Sequence, residues 1–477
     1  MTGRVTIVGY GMAGARLAEE IRRLDPAGDP VELTVVGAEP DRAYNRVLLS
    51  DVLTGALSAA SVRLHDDRWP AASRVDLRLD VRVTGIDRDL RTVALSDGTS
   101  VDYDALVLAT GALPWLPPVD GLAGDDGCPA PGVYTFRSLR DCATIRARIR
   151  PGAPVAVLGG GLLGLEVARG VAARGGRVTV VHPGDTLMER QLDATAGRVL
   201  ASALERCGVE FRLGVPAARY LPGDGLKLAD GTMVAADLVI VSAGVRPDVT
   251  LAAAAALVID GGVRVDDCLR TSDPRIHAIG DCAYHSGAVS GQVAPAWDQA
   301  RTLASLLTGT APAARYHGTP VVTRLKARDI DVTVVGDGRA DGPRADVVRV
   351  EDATGGRYAK LVVRDGRVAG AVLVGLPDAA ATITQLYDQA APVPADRLAV
   401  LLGRALPADA GGASIGALPG EALICRCNSV AKGRLVSAWR SGASDVPALA
   451  EATRAGTGCG GCRAALGDLV DWLAAAG

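Results

Sequence analysis

Four cysteines near the C-terminus, Cys425, Cys427, Cys459 and Cys462, are spaced C-x-C, then 31 residues, then C-x-x-C. Four thiolates converging from two loops can hold Zn²⁺ or a [2Fe–2S] cluster. The glycines around Cys459 leave little side chain in the way, so backbone N–H groups can point at sulfide and its delocalised negative charge. Far upstream stand two glycine-rich loops of a type that cradles pyrophosphate: Gly9-Tyr10-Gly11-Met12-Ala13-Gly14 and Gly159-Gly160-Gly161-Leu162-Leu163-Gly164. Together these residues describe a wire, in which organic cofactors bring electrons in and a metal centre carries them out.

Each loop needs a strand before it and a helix after it, and the sequence supplies both twice. The apolar run Val5–Val8 leads into the first loop, a helical stretch Ala15–Leu24 follows, and a second strand Val31–Val36 leads to Glu39, 25 positions after the third glycine. In such a βαβ unit the first glycine permits the turn, the second lets the backbone approach a pyrophosphate, and the third lets helix pack on strand. The phosphates then meet the free N–H groups of a helix N-terminus. Glu39 is the candidate for the adenosine ribose hydroxyls. The unit recurs as strand Val155–Leu158, the second loop, helix Leu165–Ala173 and strand Val178–Val181, which predicts two dinucleotide sites. At the end of that second strand the ribose position holds His182 in place of an acid, and no arginine pair follows to hold a 2′-phosphate. NADH is expected ahead of NADPH. Leu106–Leu113 and Leu238–Pro247 are apolar strands ending in small-residue turns, and Thr271–Asp281 ends a strand in Gly280-Asp281. Asp281 there can meet a flavin's ribityl chain or phosphate, or cap the next helix.

Composition sets the frame. The chain has 477 residues, enough for two to four domains, is 48% hydrophobic and carries a formal charge of −3. That balance gives no nucleic acid a basic face to bind. No apolar stretch approaches the 18 or so residues a membrane helix needs; the longest, Leu251–Ile259, is short and alanine-rich. Thus neither nucleic acid nor membrane is an expected partner. The start runs from Met1 directly into a strand, so no signal peptide and a cytoplasmic location are expected. In a reducing compartment clustered cysteines are metal ligands or redox groups. Cys128, Cys142, Cys207, Cys268 and Cys282 are scattered singly and are expected to be packed thiols.

Residues 1–310 resemble the two-dinucleotide-binding-domain flavoprotein disulfide reductase superfamily: GYGMAG, LVLATGALP, GGGLLGLE, SAGVRPD and T-x₅-HAIGD occur in that superfamily's order. The resemblance implies an α/β fold with two Rossmann-like domains, FAD on the first and NAD(P)H on the second. The FAD domain would be discontinuous, 1–112 and 245–312, around an NAD(P)H domain at 113–244. FAD would fall to Gly9, Gly11, Gly14, Glu39, Asn45, Arg46, Val83, Thr110, Gly111 and Asp281. NAD(P)H would fall to Gly159, Gly161, Gly164, Glu166, His182 and Gly244, with Glu166 near the nicotinamide. The thiol-using relatives carry cysteines about forty residues in. This chain has Tyr44-Asn45-Arg46-Val47-Leu48-Leu49-Ser50 there, and no cysteine before Cys128. Disulfide, CoA-disulfide and mercuric reduction need a thiolate, so the flavin must discharge elsewhere. AYNRVLLS, supported by LMERQLD at Leu187–Asp193, is similar instead to the FAD/NADH portion of nitrite reductases and to electron-transfer subunits of assimilatory nitrate reductases.

Strand-like runs Asp331–Val335, Tyr358–Val363 and Val368–Val374 are expected in a small α+β domain spanning 313–404. Residues 405–420, rich in Ala, Gly and Ser, read as a flexible linker. Beyond it short helical patterns, Val430–Trp439, Val446–Ala452 and Arg463–Ala475, flank the cysteines. CRCNSV…TRAGTGCGGC is similar to the bacterioferritin-associated ferredoxin-like (BFD-like) [2Fe–2S] domain. That resemblance decides for iron–sulfur over zinc in a helical domain at 421–477, with Cys425, Cys427, Cys459 and Cys462 as ligands.

NAD(P)H gives up two electrons as hydride, whereas a cluster takes one at a time, and FAD is the converter between them. No general acid or nucleophile is nominated. The linker suggests a small domain alternating between a flavin-docked and a partner-docked pose. The chain reaches Gly477 without cysteines for a [4Fe–4S]–sirohaem site and without a molybdopterin-binding region. The expected function is therefore NADH-dependent FAD/[2Fe–2S] electron transfer to a separate catalytic subunit, a molybdenum assimilatory nitrate reductase first and a nitrite reductase second. A ferredoxin- or rubredoxin-type reductase and a redox- or iron-sensing regulator are the readings from other classes.

Overall fold

The computed structural model of the chain describes residues 3–327, 330–341, 345–403, 415–425, 428, 430–457 and 461–476. Two parallel five-stranded sheets carry the two glycine loops. The first runs Ile276–Ala278, Ala105–Leu108, Gly3–Val8, Val31–Gly37, Val75–Leu79 across the sheet. The second runs Val209–Leu213, Arg177–His182, Pro154–Leu158, Leu238–Val241, Val133–Thr135. In both, the strand before the glycine loop is central and buried, with Val5–Val8 and Val155–Leu158 nearly solvent-free. Its two neighbours are parallel, so all three carbonyl ends open at the same edge. That edge is where an open α/β sheet takes its ligand. A three-stranded antiparallel meander sits beside each sheet, at residues 83–102 and 217–235. Hence the repeat legible in the loops extends to the whole unit.

The helices that follow the loops start earlier than their hydrophobic pattern suggests, at Met12–Leu24 and Leu162–Ala173. In each case the second glycine is the extended N-cap, so the first helical turn is made of the loop itself. Between the two sheets runs a short antiparallel ribbon, Ala112–Pro114 against Val245–Pro247. Residues of the segment after Glu39, including Leu48, Leu49, Val52 and Leu53, are buried in the core of the second sheet unit rather than the first.

The next unit is one antiparallel five-stranded sheet ordered Val322–Ala327, Ile330–Gly336, Arg367–Val374, Arg357–Arg364, Asp346–Asp352. The turn at Arg364-Asp365-Gly366 is a hairpin with both Asp365 (φ 50°) and Gly366 (φ 71°) in the left-handed region, the geometry two-residue hairpins favour. A helix, Pro377–Asp388, packs on this sheet.

The C-terminal module has helices Lys432–Arg440, Val446–Thr453 and Arg463–Ala476 around a core of Val430, Leu435, Leu449, Leu466 and Leu469. Of the expected linker, residues 415–420 are described, and they are pinned to this module. Lys432 Nζ donates to the carbonyls of Gly416 (2.6 Å) and Leu418 (2.8 Å). Residues 404–414 lie outside the described residues. Among the described residues no helix is long and apolar enough to cross a membrane.

Candidate functional site

At the first loop the three glycines divide their labour as the motif requires. Gly9 has φ 112°, and a Cβ there would overlap the Ala109 carbonyl on the adjoining strand turn. At Gly14 a Cβ would overlap Gly9 O, so any side chain would push the helix off the strand. Gly11 faces open space, with only Arg46 Nε at 4.0 Å. The second loop repeats this: Gly159 (φ 121°) closes on Ser242 O, Gly164 on Gly159 O, and nothing lies within 4 Å of Gly161. Each loop thus has a bare middle glycine at a helix N-terminus, a cradle that fits a pyrophosphate.

The first loop opens into a cavity of about 2330 Å³. Gly9, Gly11, Glu39, Arg46, Val83, Thr110, Gly111 and Asp281 line it, so the structure brings most of the residues expected to serve FAD to one space. Gly14, in the first turn of the helix and closed against Gly9, does not line it. Asn45 does not line the cavity; it is 1% exposed, and its Nδ2 donates to the Thr457 carbonyl of the C-terminal module at 2.6 Å.

A polar chain crosses this cavity wall. Glu39 accepts from Tyr44 Oη (2.7 Å) and from Arg46. Arg46 also donates to the Arg137 carbonyl (3.0 Å), and Arg137 pairs with Asp281 at 2.7 Å. Burial works against the Arg46 charge, but Tyr44 and Glu39 outweigh it and hold its pKa above the ordinary value. Burial is also the main reason the Tyr44 phenol is pushed up. Arg137 and Tyr44 were missed as site residues by the sequence. Arg137 is set by a capping box: Asp141 accepts from the backbone N–H groups of Arg137 and Ser138 while Ser138 caps the helix Leu139–Arg148. Ser138 three positions before Asp141 was the one signal for it.

From the second unit, Leu162, Leu163 and Glu166 on the loop helix reach the same cavity, with Glu166 5% exposed. Gly159, Gly161, Gly164, His182 and Gly244 do not line it. His182 ends its strand as expected, but its Nε2 lies 2.8 Å from Glu189 Oε2. Glu189 of the following loop thus sets a carboxylate beside the strand-end position that His182 occupies. Burial would raise the Glu189 carboxyl, yet its own backbone N–H and His182 hold it below the ordinary carboxylate value.

The third wall is formed by the remaining two units. Thr323, Arg324, Asp331, Thr384 and Gln385 line it from the antiparallel sheet and its helix. Burial raises the Asp331 carboxyl, against Arg324, and its Oδ1 has no partner. From the C-terminal module come Ile424, Gly461 and Cys462. Cys425 (0% exposed) and Cys462 (7%) belong to one buried cluster. Thus the first and last cysteines of the expected ligand set lie in one buried core, and thiols are the donors that a [2Fe–2S] cluster takes. Cys427 and Cys459 lie outside the described residues. Of the other cysteines, Cys142, Cys268 and Cys282 are buried, Cys207 is half-buried and Cys128 exposed. None of these five lines the cavity; among the described cysteines it is Cys462 of the C-terminal module that does.

Comparison with known proteins agrees with this arrangement. The profile described as pyridine nucleotide-disulphide oxidoreductase matches residues 3–303. Those described as rubredoxin NAD+ reductase C-terminal domain and BFD-like [2Fe-2S] binding domain match 321–390 and 423–472. A nitrite reductase [NAD(P)H] of Bacillus subtilis is 35% identical over 96% of this chain and 56% of its own length. The assimilatory nitrate reductase electron transfer subunit of the same organism is 33% identical over 98% of this chain and 60% of its own. The chain therefore spans a little over half the length of these relatives. Among solved structures, a ferredoxin reductase from Rhodopseudomonas palustris superposes with a TM-score of 0.75 at 27% identity, covering 86% of this chain and all of that one.

Proposed function

The chain belongs to the pyridine nucleotide-disulphide oxidoreductase family, and from that premise we propose that it oxidises NADH and passes the electrons singly to a separate catalytic reductase, an assimilatory nitrate reductase containing molybdenum first among the candidates. It is an NAD(P)H-dependent flavoprotein oxidoreductase whose cofactors are FAD, NAD(P)H and, in the C-terminal module, a [2Fe–2S] cluster. Bound FAD supplies the conversion of one hydride into two single electrons, and each NADH consumed releases NAD⁺ and one proton.

One observation carries the reading: the flavin loop, Glu166 of the nicotinamide side and Cys462 of the cluster side line a single cavity. In our assignment Gly9, Gly11, Glu39, Arg46, Val83, Thr110, Gly111 and Asp281, with Arg137 added, hold FAD. Gly159, Gly161, Gly164, Glu166, His182 and Gly244 hold the pyridine nucleotide, and Cys425, Cys427, Cys459 and Cys462 hold the cluster. The corresponding domains are 1–112 with 245–312, 113–244, 313–404 and 421–477, in a cytoplasmic setting. Glu189 supports NADH over NADPH, because a carboxylate at the ribose end repels a 2′-phosphate.

The electron-transfer subunit named above supports nitrate reductase as recipient, since the likeness runs through 98% of this chain. The second reading, delivery to a nitrite reductase, is favoured by the 35% identity with that enzyme. Reconstitution decides between them: NADH, this chain and a molybdenum nitrate reductase should together form nitrite from nitrate. Turnover only with a sirohaem nitrite reductase would move the assignment to the second reading. Equal turnover with unrelated ferredoxins would reject both.

A further inference from the structure

The flavoprotein body grips the C-terminal module at the residues that flank its cysteines. Arg16, on the flavin-loop helix, donates through Nη1 to Asn428 Oδ1 at 3.0 Å, and Asn428 adjoins Cys427. Asn45 donates to the carbonyl of Thr457, two residues before Cys459. Arg324 donates through Nη1 to the carbonyl of Gly461, beside Cys462, at 3.0 Å. Glu19 accepts from Arg454 at the mouth of the same loop.

Asn428 in turn ties the two cysteine loops together. Its Nδ2 donates to the Arg454 carbonyl at 2.5 Å and to Thr457 Oγ1 at 3.2 Å. Arg454 is held for this at φ 68°, a conformation that costs a non-glycine residue free energy and persists where surroundings over-determine it. The join is also apolar. Trp297 of the body is 1% exposed within the module's core, donates to the Met12 carbonyl at 3.0 Å and lies under the Arg16 guanidinium at 5.1 Å.

Arg16 is itself 9% exposed, and its guanidinium bonds the Asn428 end of this clamp directly. Its counter-charges are Glu20 at 2.6 Å and Glu19 at 3.7 Å; Arg301 and Arg454 add positive charge beside it. A cluster's potential follows local charge, hydrogen bonding and solvent exposure. Reduction adds a negative charge, which a buried cation favours far more than one in water does.

We propose that Arg16 is a positioning residue for the [2Fe–2S] cluster: from the flavin-binding helix it holds Asn428, and so both ligand loops, and its buried charge raises the cluster's reduction potential while the module is docked. This rests on the electron-transfer reading above. In the docked module that charge offsets part of what burial takes from the cluster's readiness to accept an electron.

The test is an EPR-monitored anaerobic redox titration of the cluster-loaded full chain and three variants. Arg16→Gln should shift the cluster midpoint down, Arg16→Lys should stay near wild type, and Glu19→Gln should shift it up. A module merely released from the body would move both glutamine variants the same way, upward, because water stabilises the extra charge of the reduced cluster. Shifts of equal sign in Arg16→Gln and Glu19→Gln, or no shift in either, overturn the proposal. Should Arg16→Gln assemble no cluster, Glu19→Gln still tests it: a midpoint unchanged or lowered rejects the proposal, as does a rise accompanied by a change in tryptophan emission that reports release around Trp297, whereas a rise with that emission unchanged supports it. Wild-type protein lacking iron and acid-labile sulfide would refute the electron-transfer reading itself, and this proposal with it.

Discussion

Side-chain identity alone left two positions incompletely read. At the second ribose site His182 reads as a departure from an acid, whereas folding brings Glu189 against its ring. Glu189→Gln should therefore narrow the preference for NADH over NADPH, by about tenfold if a single charge is worth ~1.4 kcal/mol there. Steady-state kcat/KM for the two nucleotides checks this, and an unchanged ratio would remove Glu189 from the site. His277, inside the T-x₅-HAIGD motif, is the second. It is buried, and burial lowers its pKa to about 4. A histidine kept neutral in the fold and titrating near 6.5 when unfolded stabilises the fold fully above pH 6.5. That stability is lost as pH falls toward 4, by about 2 kcal/mol at pH 5. The melting temperature of wild type should fall between pH 7 and pH 5, and that of His277→Gln should fall less.

Elements were legible where a strong local rule governs them. Two parallel sheets, their order around the loops and the helix after each loop follow from apolar runs and glycines whose Cβ would strike backbone, as at Gly9 and Gly159. Helix starts were placed late because the loop residues Met12 and Leu162 look like turn yet form the first turn of helix. The meanders at 83–102 and 217–235 and the strands Val322–Ala327 and Asp346–Asp352 are short, with burial decided by neighbours distant in sequence, so periodicity could not find them. The loop–helix unit gives a separable prediction. Gly164→Ala would force the helix Leu162–Ala173 away from Gly159 O, damaging the nucleotide cradle without touching the FAD loop. Such protein should keep its FAD and its reduction by dithionite, but lose at least about tenfold in NADH-driven flavin reduction. Loss of FAD as well would show that the two cradles are not independent.

At the scale of the molecule, the sequence showed which modules exist and hid how they meet. Nothing in Asn45, Arg16 or Arg324 announces a partner more than 130 residues away, yet each reaches the C-terminal module. Expectation assigned Asn45 to FAD; its amide is on Thr457. The tether at 405–420 suggested a module alternating between a flavin-docked and a partner-docked pose; the described module is docked, and its 415–418 end is tied to Lys432. Shortening the tether within residues 405–414 should thus leave NADH-driven cluster reduction unchanged in stopped-flow traces. A fall of more than about threefold would mean that the module must travel to be reduced.

The central claim is that electron pairs from NADH leave this chain singly through iron and sulfide held by its last cysteines. Anaerobic titration of the purified protein with NADH, followed by visible and EPR spectra, tests it most directly. Wild type should show flavin bleaching and then the signal of a reduced [2Fe–2S] cluster, while Cys462→Ser should show the bleaching alone. Zinc in place of iron, or a cluster that stays oxidised after the flavin is fully bleached, would contradict the account.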